Sequence, residues 1–458
     1  GCNLLGYYMY HGGTNPKGKL SSLQESTAVG SFCDVPELSY DFQAPIREYG
    51  QISETAKELK LLSMFVHDYG ETFCNMQPQF AGDDCESTSV HTGDFQDAED
   101  LSAFRMITRR SGDHGYLFVN NYQRGYEMAE HKDVMLRVQT ADGEIRFPKQ
   151  DIKNGAYFFY PFNFPLSDDV TLRWINQTPL CDINRKLWFF YGNEKMQYEA
   201  DEKLSGQVLI SMDRIWAKYA WRMKKYPNIL FFSALPILET ENGIEVICRS
   251  DRAQKNCWII MDATVEDAKM WIDNGWKKSD IIPDFLHVEG DASTICVLSH
   301  DLTAADNQTV ASFTHTDVNN CIIRKEKNVF HRAEKTDFSE AEACAIDDTG
   351  KDYQEYVIRI SYDKAYDTAK ENIFLRIDFQ ADQAELYLNG EKIADQYFIG
   401  DVWEVSLKRF DFPTELILRL YPLEEDDKIY LETQPDYVNG RCCSLKDIRC
   451  VYECKEKL

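Results

Sequence analysis

Apolar and polar positions alternate along most of this chain with the two-residue period of half-buried strands, and helix-period stretches are few. Residues 116–120, 134–139 and 187–191 read as strands. Asp142-Gly143, Asn242-Gly243 and Asn389-Gly390 are dipeptides that favour tight hairpins through positive φ at both central residues. The strongest hairpin signal is residues 374–394. Leu375, Ile377 and Phe379 alternate with polar residues, Leu386 and Leu388 lead into Asn389-Gly390, and Ile393 answers on the return. One apolar and one solvated face is how a jelly-roll sheet is written. Helical period is predicted over residues 54–69, with Ser53 as cap, an apolar stripe of Leu59, Leu62, Val66 and Tyr69, and Gly70 just past the end. Weaker helical character lies in residues 205–218 and 264–276, and the acidic, hydroxyl-rich stretch 84–97 reads as a linker.

The opening run LLGYYMYHGGTN, residues 4–15, has a different pattern. Apolar and aromatic residues continue to Tyr10, and then Gly12, Gly13, Thr14 and Asn15 break the run, the punctuation expected at the carboxyl end of a buried parallel strand. In a TIM-type barrel that end binds ligands.

Tyr8-Met9-Tyr10-His11-Gly12-Gly13-Thr14-Asn15, followed by Ser39-Tyr40-Asp41-Phe42-Gln43-Ala44-Pro45-Ile46, resembles two segments of glycoside hydrolase family 35, the retaining β-galactosidases. In that family they read Tyr-Met-x-x-Gly-Gly-Thr-Asn and Ser-Tyr-Asp-Tyr-Asp-Ala-Pro-Leu, on the eighth barrel strand and the loop after it. The likeness covers about the first 70 residues; beyond them it is architectural. It implies a mainly β chain: the C-terminal remnant of a (β/α)8 barrel, then two or three antiparallel β-sandwiches, the last a galactose-binding-like jelly roll. The boundaries expected are 1–83 for the last βα unit, 98–200 for a β domain, 201–330 for a β-rich domain, 331–433 for the galactose-binding-like sandwich and 434–458 for a cysteine-containing tail.

The resemblance implies that Tyr8 and Tyr40 line a subsite for terminal β-linked galactose or a related sugar, with Gly12, Gly13, Thr14 and Asn15 shaping it. The family's usual tyrosine two residues after Tyr40 is Phe42 here, which removes a hydroxyl from that subsite. Gln43 stands for the usual Asp and Pro16 for the usual aromatic, so sugar preference departs from the family pattern. Packing is the competing reading for Tyr7, Tyr8 and Tyr10. The family's two catalytic glutamates would lie upstream of Gly1, so this chain alone is expected to be inactive, and no catalytic residue, metal or organic cofactor is assigned within it. Glu25, Glu37 and Glu48 lie in or near the loop after the expected strand, but none ends a strand opposite a second carboxylate at the spacing of about 5 Å that retention needs.

The competing class is a non-catalytic carbohydrate-binding or scaffold protein built from the β-sandwiches. An open reading frame upstream encoding barrel strands separates the two. A start at Gly rather than Met makes a fragment the expected reading, which leaves cytoplasmic and secreted location both open.

Charge narrows the partners. A formal charge of −26 with no Lys/Arg-rich run excludes nucleic acid and anionic membrane, while neutral sugars remain compatible. No apolar run reaches the length of a membrane span. Fourteen cysteines are too sparse for a disulfide scaffold, but Cys442, Cys443, Cys450 and Cys454 fall within thirteen residues. Their spacing does not match paired zinc knuckles, which leaves buried thiols or a disulfide as the expectation beside metal.

Other motifs carry two readings each. Asn120, Asn121, Gln123 and Arg124 either line a polar groove or satisfy a turn. Tyr397 and Trp403 either touch sugar or pack. Gly13 to Lys19 has the G-x-x-x-x-G-K spacing of a phosphate loop, but Leu20 replaces the hydroxyl and Pro16 removes an N–H donor, so nucleotide is excluded. Asn176 and Asn307 head glycosylation sequons that matter only in a eukaryotic secretory route.

Overall fold

The helical period after Ser53 produces the one long helix among the described residues, Glu54–Cys74. A computed structural model describes residues 6–17, 36–80, 100–251, 256–262, 267–302, 311–317, 324–326, 345–346, 352–362 and 371–458. The linker 84–97, Glu25, Asn307 and Gly18 to Leu20 fall outside them. Ser53 Oγ caps the helix by accepting the Ala56 amide at 3.3 Å, as the sequence predicts.

The helix differs from expectation in length and phase. It runs through Gly70 to Cys74, and its buried face is Leu61, Met64, Phe65 and Tyr69, while Leu62 and Val66 are exposed. The expected stripe is one residue out of phase at Leu62 and Val66, whereas Tyr69 is buried as expected. Leu61 and Leu62 are equally apolar, and only the surface available to cover them decides which turns inward.

That surface belongs to the chain itself. One unit comprises Lys57–Ala234 and Asn256–Asp301, and its helix lies on β structure. Strands Thr178–Ile183, Leu187–Tyr191, Val208–Met212 and His287–Gly290 form a four-stranded sheet, whose middle pair is parallel. Leu187–Tyr191 is buried throughout. Leu187, Phe189 and Tyr191 join one apolar cluster with Leu61 and Met64, and Trp188 and Phe190 join another with Phe65 and Tyr69. Burial on both faces is why this strand reads as an unbroken apolar run. These strands cover the buried face of the helix. Phe65 meets the rings of Tyr116 and Phe159 at 5.2 and 4.7 Å.

Two further large sheets belong to this unit, beside two two-stranded ones among the described residues. A six-stranded antiparallel sheet runs Tyr198–Ala200, Thr171–Ile175, Ala156–Pro165, His114–Asn121, Arg105–Ser111, Gln77–Phe80 in spatial order. A five-stranded one runs Ala220–Met223, Tyr226–Phe232, Asn256–Asp262, Ile295–Asp301, Lys277–Ser279. The expected strand over 134–139 is two short strands, His131–Val134 and Arg137–Thr140. Residues 205–218 hold a strand, Val208–Met212, followed by the short helix Arg214–Lys218. A helix at Asp267–Asp273 occupies part of the stretch 264–276.

The other unit comprises Tyr7–Ala56, Leu235–Lys255 and Leu302–Leu458. A five-stranded sheet runs Ile237–Thr240, Gly243–Arg249, Ser444–Lys457, Glu371–Gln380, Trp403–Ser406. The cysteine-bearing end of the chain thus supplies its central strand. A second sheet contains Arg324–Glu326, Ala311–Asp317, Asp352–Tyr362, Glu415–Tyr421, Gln383–Leu388 and Glu391–Tyr397, with Ala345–Ile346 beside Asp352–Tyr362.

The expected 374–394 hairpin is divided between these sheets. Glu371–Gln380 pairs with Ser444–Lys457 and Trp403–Ser406, whereas the hairpin proper is Gln383–Leu388 with Glu391–Tyr397. Ala381-Asp382 is where the chain changes sheets. Asn389 and Gly390 both have positive φ, as a two-residue primed turn requires. The other two hairpins form differently. In them Thr140 pairs with Gly143 and Thr240 with Gly243, only the glycine has positive φ, and the threonine hydroxyl donates to the glycine carbonyl.

The opening segment departs furthest from expectation. Leu4 and Leu5 lie outside the described residues, and Tyr7 to Tyr10 join no strand. The first ladder is Gly13–Thr14 with Ser39–Tyr40, and it is antiparallel, whereas barrel staves are parallel. One parallel bridge links His11 to Ile46. The chain is mainly β, in several sheets, and a barrel remnant does not emerge from the described strands.

Candidate functional site

Backbone pairing brings the two motif segments together in the second unit. Gly13 lies opposite Tyr40 and Thr14 opposite Ser39, while Gly12 N donates to Ile46 O at 2.7 Å and Asn15 N to Leu38 O at 2.7 Å. Gly12 is set by space. A Cβ there would stand 2.9 Å from the Glu48 amide nitrogen and 3.0 Å from Asp41 Cα, whereas one at Gly13 would meet nothing.

The seven residues expected to contact sugar divide into two groups. Gly12, Thr14 and Asn15 serve the framework: the Thr14 hydroxyl donates to Glu48 Oε1, and Asn15 Nδ2 donates to Glu37 O at 3.1 Å. Tyr8, Tyr40 and Phe42 instead form an aromatic cluster at the surface, on which Gly13 borders through its pairing with Tyr40. The Tyr8 and Tyr40 hydroxyls are 3.1 Å apart, and that contact holds the Tyr40 phenol above its ordinary pKa. The Tyr40 and Phe42 rings meet edge to face at 4.6 Å. Tyr8 is 87% and Phe42 47% exposed.

Phe42 and Gln43 both adopt left-handed backbone, φ 47° and 52°, an uncommon conformation for a phenylalanine. Asp41 braces that turn. Its Oδ2 accepts the Gln43 amide at 3.2 Å and pairs with Arg47 Nε at 2.6 Å, and its Oδ1 accepts the Glu48 amide at 2.7 Å. A cavity of about 230 Å³ beside the turn is lined by Phe42, Gln43, Gln396 and Tyr397 among others.

Glu48 is the residue whose character the sequence did not disclose. Burial pushes its carboxyl up to about 7, even though the Thr14 and Ser39 hydroxyls favour the charged form; Asp41 and Asp395 add to the rise. Ser39 Oγ donates to Glu48 Oε2 at 2.8 Å. The available signal was the company of Thr14 and Ser39, and only the fold brings those hydroxyls to it. Glu37, in contrast, is ion-paired with Lys392 at 2.5 Å.

Most of the other two-sided motifs serve structure, whereas Tyr397 lines the cavity beside Phe42. Asn120 Oδ1 accepts the Tyr122 amide, Asn121 Nδ2 donates to the Ala129 and Lys153 carbonyls, and Gln123 Oε1 accepts from Arg105, while the buried Asn121 Oδ1 has no hydrogen-bond partner. Trp403 is buried, its ring 6.3 Å from that of Phe379. Cys442, Cys450 and Cys454 are buried and Cys443 half-buried, none of the four in a disulfide. Among the described residues no group of His, Cys, Asp or Glu is arranged to hold a metal.

No family model and no curated protein matches this chain. The resemblance to family 35 therefore rests on its motif residues. A solved structure that aligns is the GH31 α-xylosidase of Xanthomonas citri, at 10% identity and a TM-score of 0.16. The alignment covers 81% of this chain, which spans 38% of that structure's chain.

Proposed function

We propose that this chain is part of a β-galactosidase-like glycoside hydrolase, and that Tyr8, Tyr40 and Phe42 contact a terminal galactose or related sugar. The observation that carries this reading is the meeting of Tyr8 and Tyr40. They lie 32 residues apart in sequence, yet their hydroxyls are 3.1 Å from one another on an exposed aromatic cluster. Aromatic faces pack against the C–H face of a sugar while phenol hydroxyls bond its hydroxyls, so such a cluster combines both elements of carbohydrate recognition. Phe42 supplies a ring without a hydroxyl. One absent hydrogen bond costs about 1 kcal/mol, which is enough to change preference among sugars.

Retaining hydrolysis needs a nucleophile and an acid/base, and no metal or organic cofactor. Glu48 is protonated in part at neutral pH, as an acid catalyst is. Its neighbour Asp41 is committed to Arg47 and two backbone amides, which does not suit a nucleophile. Sugar contact without turnover is therefore the activity expected of the chain by itself. Titration with methyl β-D-galactoside, followed by NMR, tests this reading. Saturable millimolar binding that Tyr8→Ala weakens at least fivefold supports it. Absence of binding, or turnover of a chromogenic β-galactoside, overturns it.

A further inference from the structure

The triplet Asn176-Gln177-Thr178, a glycosylation sequon in the sequence, stands where strand Thr171–Ile175 ends and Thr178–Ile183 begins, and it is buried at all three positions. Its two amide side chains are fully used. Asn176 Nδ2 donates to Lys195 O at 3.1 Å and its Oδ1 accepts the Gln197 amide at 2.7 Å. Gln177 Nε2 donates to Glu194 O at 2.6 Å and its Oε1 accepts from Ser211 Oγ at 3.0 Å. Instead of carrying a glycan, the triplet pins the loop 192–195. A Cβ at Gly192 would stand 2.8 Å from Gln177 Nε2, so glycine lets that loop lie directly against the buried amide.

The pinned loop borders a cavity of about 160 Å³ in the unit formed by Lys57–Ala234 and Asn256–Asp301. That is roughly half the volume of the smallest drug-sized sites, and it suits one small ring. Tyr157 and Arg214 also line it. Arg214 Nη2 donates to Glu58 Oε2 and to the Tyr157 hydroxyl, at 2.6 Å each, and its guanidinium carbon lies 4.4 Å from the Tyr157 ring centre and 5.7 Å from that of Tyr191. These contacts fix the Tyr157 ring, which is nevertheless 49% exposed.

Other polar groups of the lining are uncommitted. Tyr191 is 8% exposed, and its hydroxyl keeps accessible surface while making no hydrogen bond among the described residues. Asn193 and Glu194 are exposed on the pinned loop, and neither side chain has a hydrogen bond or ion pair among those residues. The charges of the lining balance, Asp151 and Glu194 against Lys153 and Arg214. An ion of either sign would therefore meet its own charge as well as the opposite one. A neutral ligand rich in hydroxyls can use every group: Tyr191 and Asn193 both donate and accept, Glu194 accepts, and a tyrosine ring packs on C–H groups. Because Asn176 and Gln177 hold the loop already, little ordering cost attends such a ligand.

We propose that this cavity binds a single neutral sugar ring, packed on Tyr157 and hydrogen-bonded by Tyr191, Asn193 and Glu194.

None of the seven residues expected to contact galactose lines it, so the two sites are tested separately. The experiment is calorimetric titration of the full chain with methyl β-D-glucoside, methyl α-D-mannoside and methyl β-D-xyloside, beside inorganic phosphate as an anion and tetramethylammonium as a cation. Saturable binding of at least one glycoside, tenfold or more tighter than either ion, is expected. Tyr191→Phe removes only a hydroxyl without a hydrogen bond, and Asn193→Ala only an exposed amide, so both variants keep the fold. Each should lower the affinity for that glycoside at least threefold. No saturable glycoside binding, equal binding of phosphate or tetramethylammonium, or affinity undiminished in both variants overturns the proposal. None of these outcomes bears on galactoside binding at Tyr8 and Tyr40.

Discussion

Asp395 holds Ser39 in place through the backbone: its Oδ1 accepts the Ser39 and Leu38 amides at 2.9 Å each, and its Oδ2 accepts the Glu37 amide at 2.8 Å. The side chain is fully buried, and Lys392 stands 3.6 Å away. Burial raises its pKa, while Lys392 and the three amides work in the opposite direction. Those amides have no other purpose in the ladder than to be satisfied here. Asp395→Ala leaves three backbone donors without their acceptor, while Lys392 keeps Glu37 and Glu385; the substitution is expected to cost about 3 kcal/mol. Urea unfolding measures it. A loss below 1 kcal/mol would mean that water replaces the carboxylate at little cost.

The phase of the long helix makes two adjacent leucines unequal. Leu61 is 2% exposed and packs with Leu180, Phe189 and Ile210, whereas Leu62 is 38% exposed. Leu61→Ala should destabilise the chain by about 2–5 kcal/mol, and Leu62→Ala by under about 1 kcal/mol. Equal losses, read from denaturant midpoints, would return the helix to the stripe its sequence suggests.

What was legible in the residues follows from the range over which each signal acts. Ser53 announces the helix start because a cap needs only the amide three residues on. Asn389-Gly390 announces its turn for the same reason, and the run 187–191 announces a strand buried on both faces. The helix end was not legible, since Gly70 is tolerated inside a helix whose neighbours cover it. Leu375, Ile377 and Phe379 are buried with half-buried residues between them, as expected, but alternation does not say which sheet a strand joins. In the opening segment, the aromatic run 7–10 satisfies a strand's composition, while its residues find no backbone partner in a ladder. Glu48 depends on Ser39 and Thr14, and the pinning carboxylate of Asp395 is more than 350 residues from its amides. Such contacts leave no local pattern to read.

Acid should stabilise two of the buried glutamates. Glu48 and Glu453 each titrate at about 7 in the fold against 4.5 for an unperturbed glutamate. Because the fold favours the protonated form, their contribution is fully present below about pH 4.5 and is lost as pH rises through 7. Each accounts for at most about 3 kcal/mol on that basis. Thermal melts of wild type and the Glu48→Gln/Glu453→Gln double variant, compared between pH 5 and 8, isolate this part of the profile. The wild type should lose stability relative to the variant across that interval, and parallel profiles would show that the carboxyls titrate normally.

Gly12 and Gly13 provide a test of close approach at the candidate site. A methyl group on Gly12 collides with the backbone at Asp41 and Glu48, which is held by Ile46 and by the Asp41 side chain. Gly12→Ala should cost about 1–3 kcal/mol, and Gly13→Ala, with nothing within 4 Å of its Cβ, should stay within about 0.5 kcal/mol. Comparable losses would place the constraint in the turn's flexibility instead.

Tyr8 separates recognition from folding. Its side chain is almost entirely exposed, and the one hydrogen bond it shares with Tyr40 is open to water. Tyr8→Phe should therefore change unfolding free energy by no more than about 0.5 kcal/mol. If the two hydroxyls exist to meet a sugar, the same substitution weakens methyl β-D-galactoside binding about fivefold, the equivalent of one hydrogen bond of about 1 kcal/mol. Tyr40→Phe should act alike, and the double variant should lose little beyond either single one, because each hydroxyl orients the other. Additive losses in the titration would instead describe two tyrosines acting independently, and unchanged affinity in all three variants would remove the pair from sugar recognition.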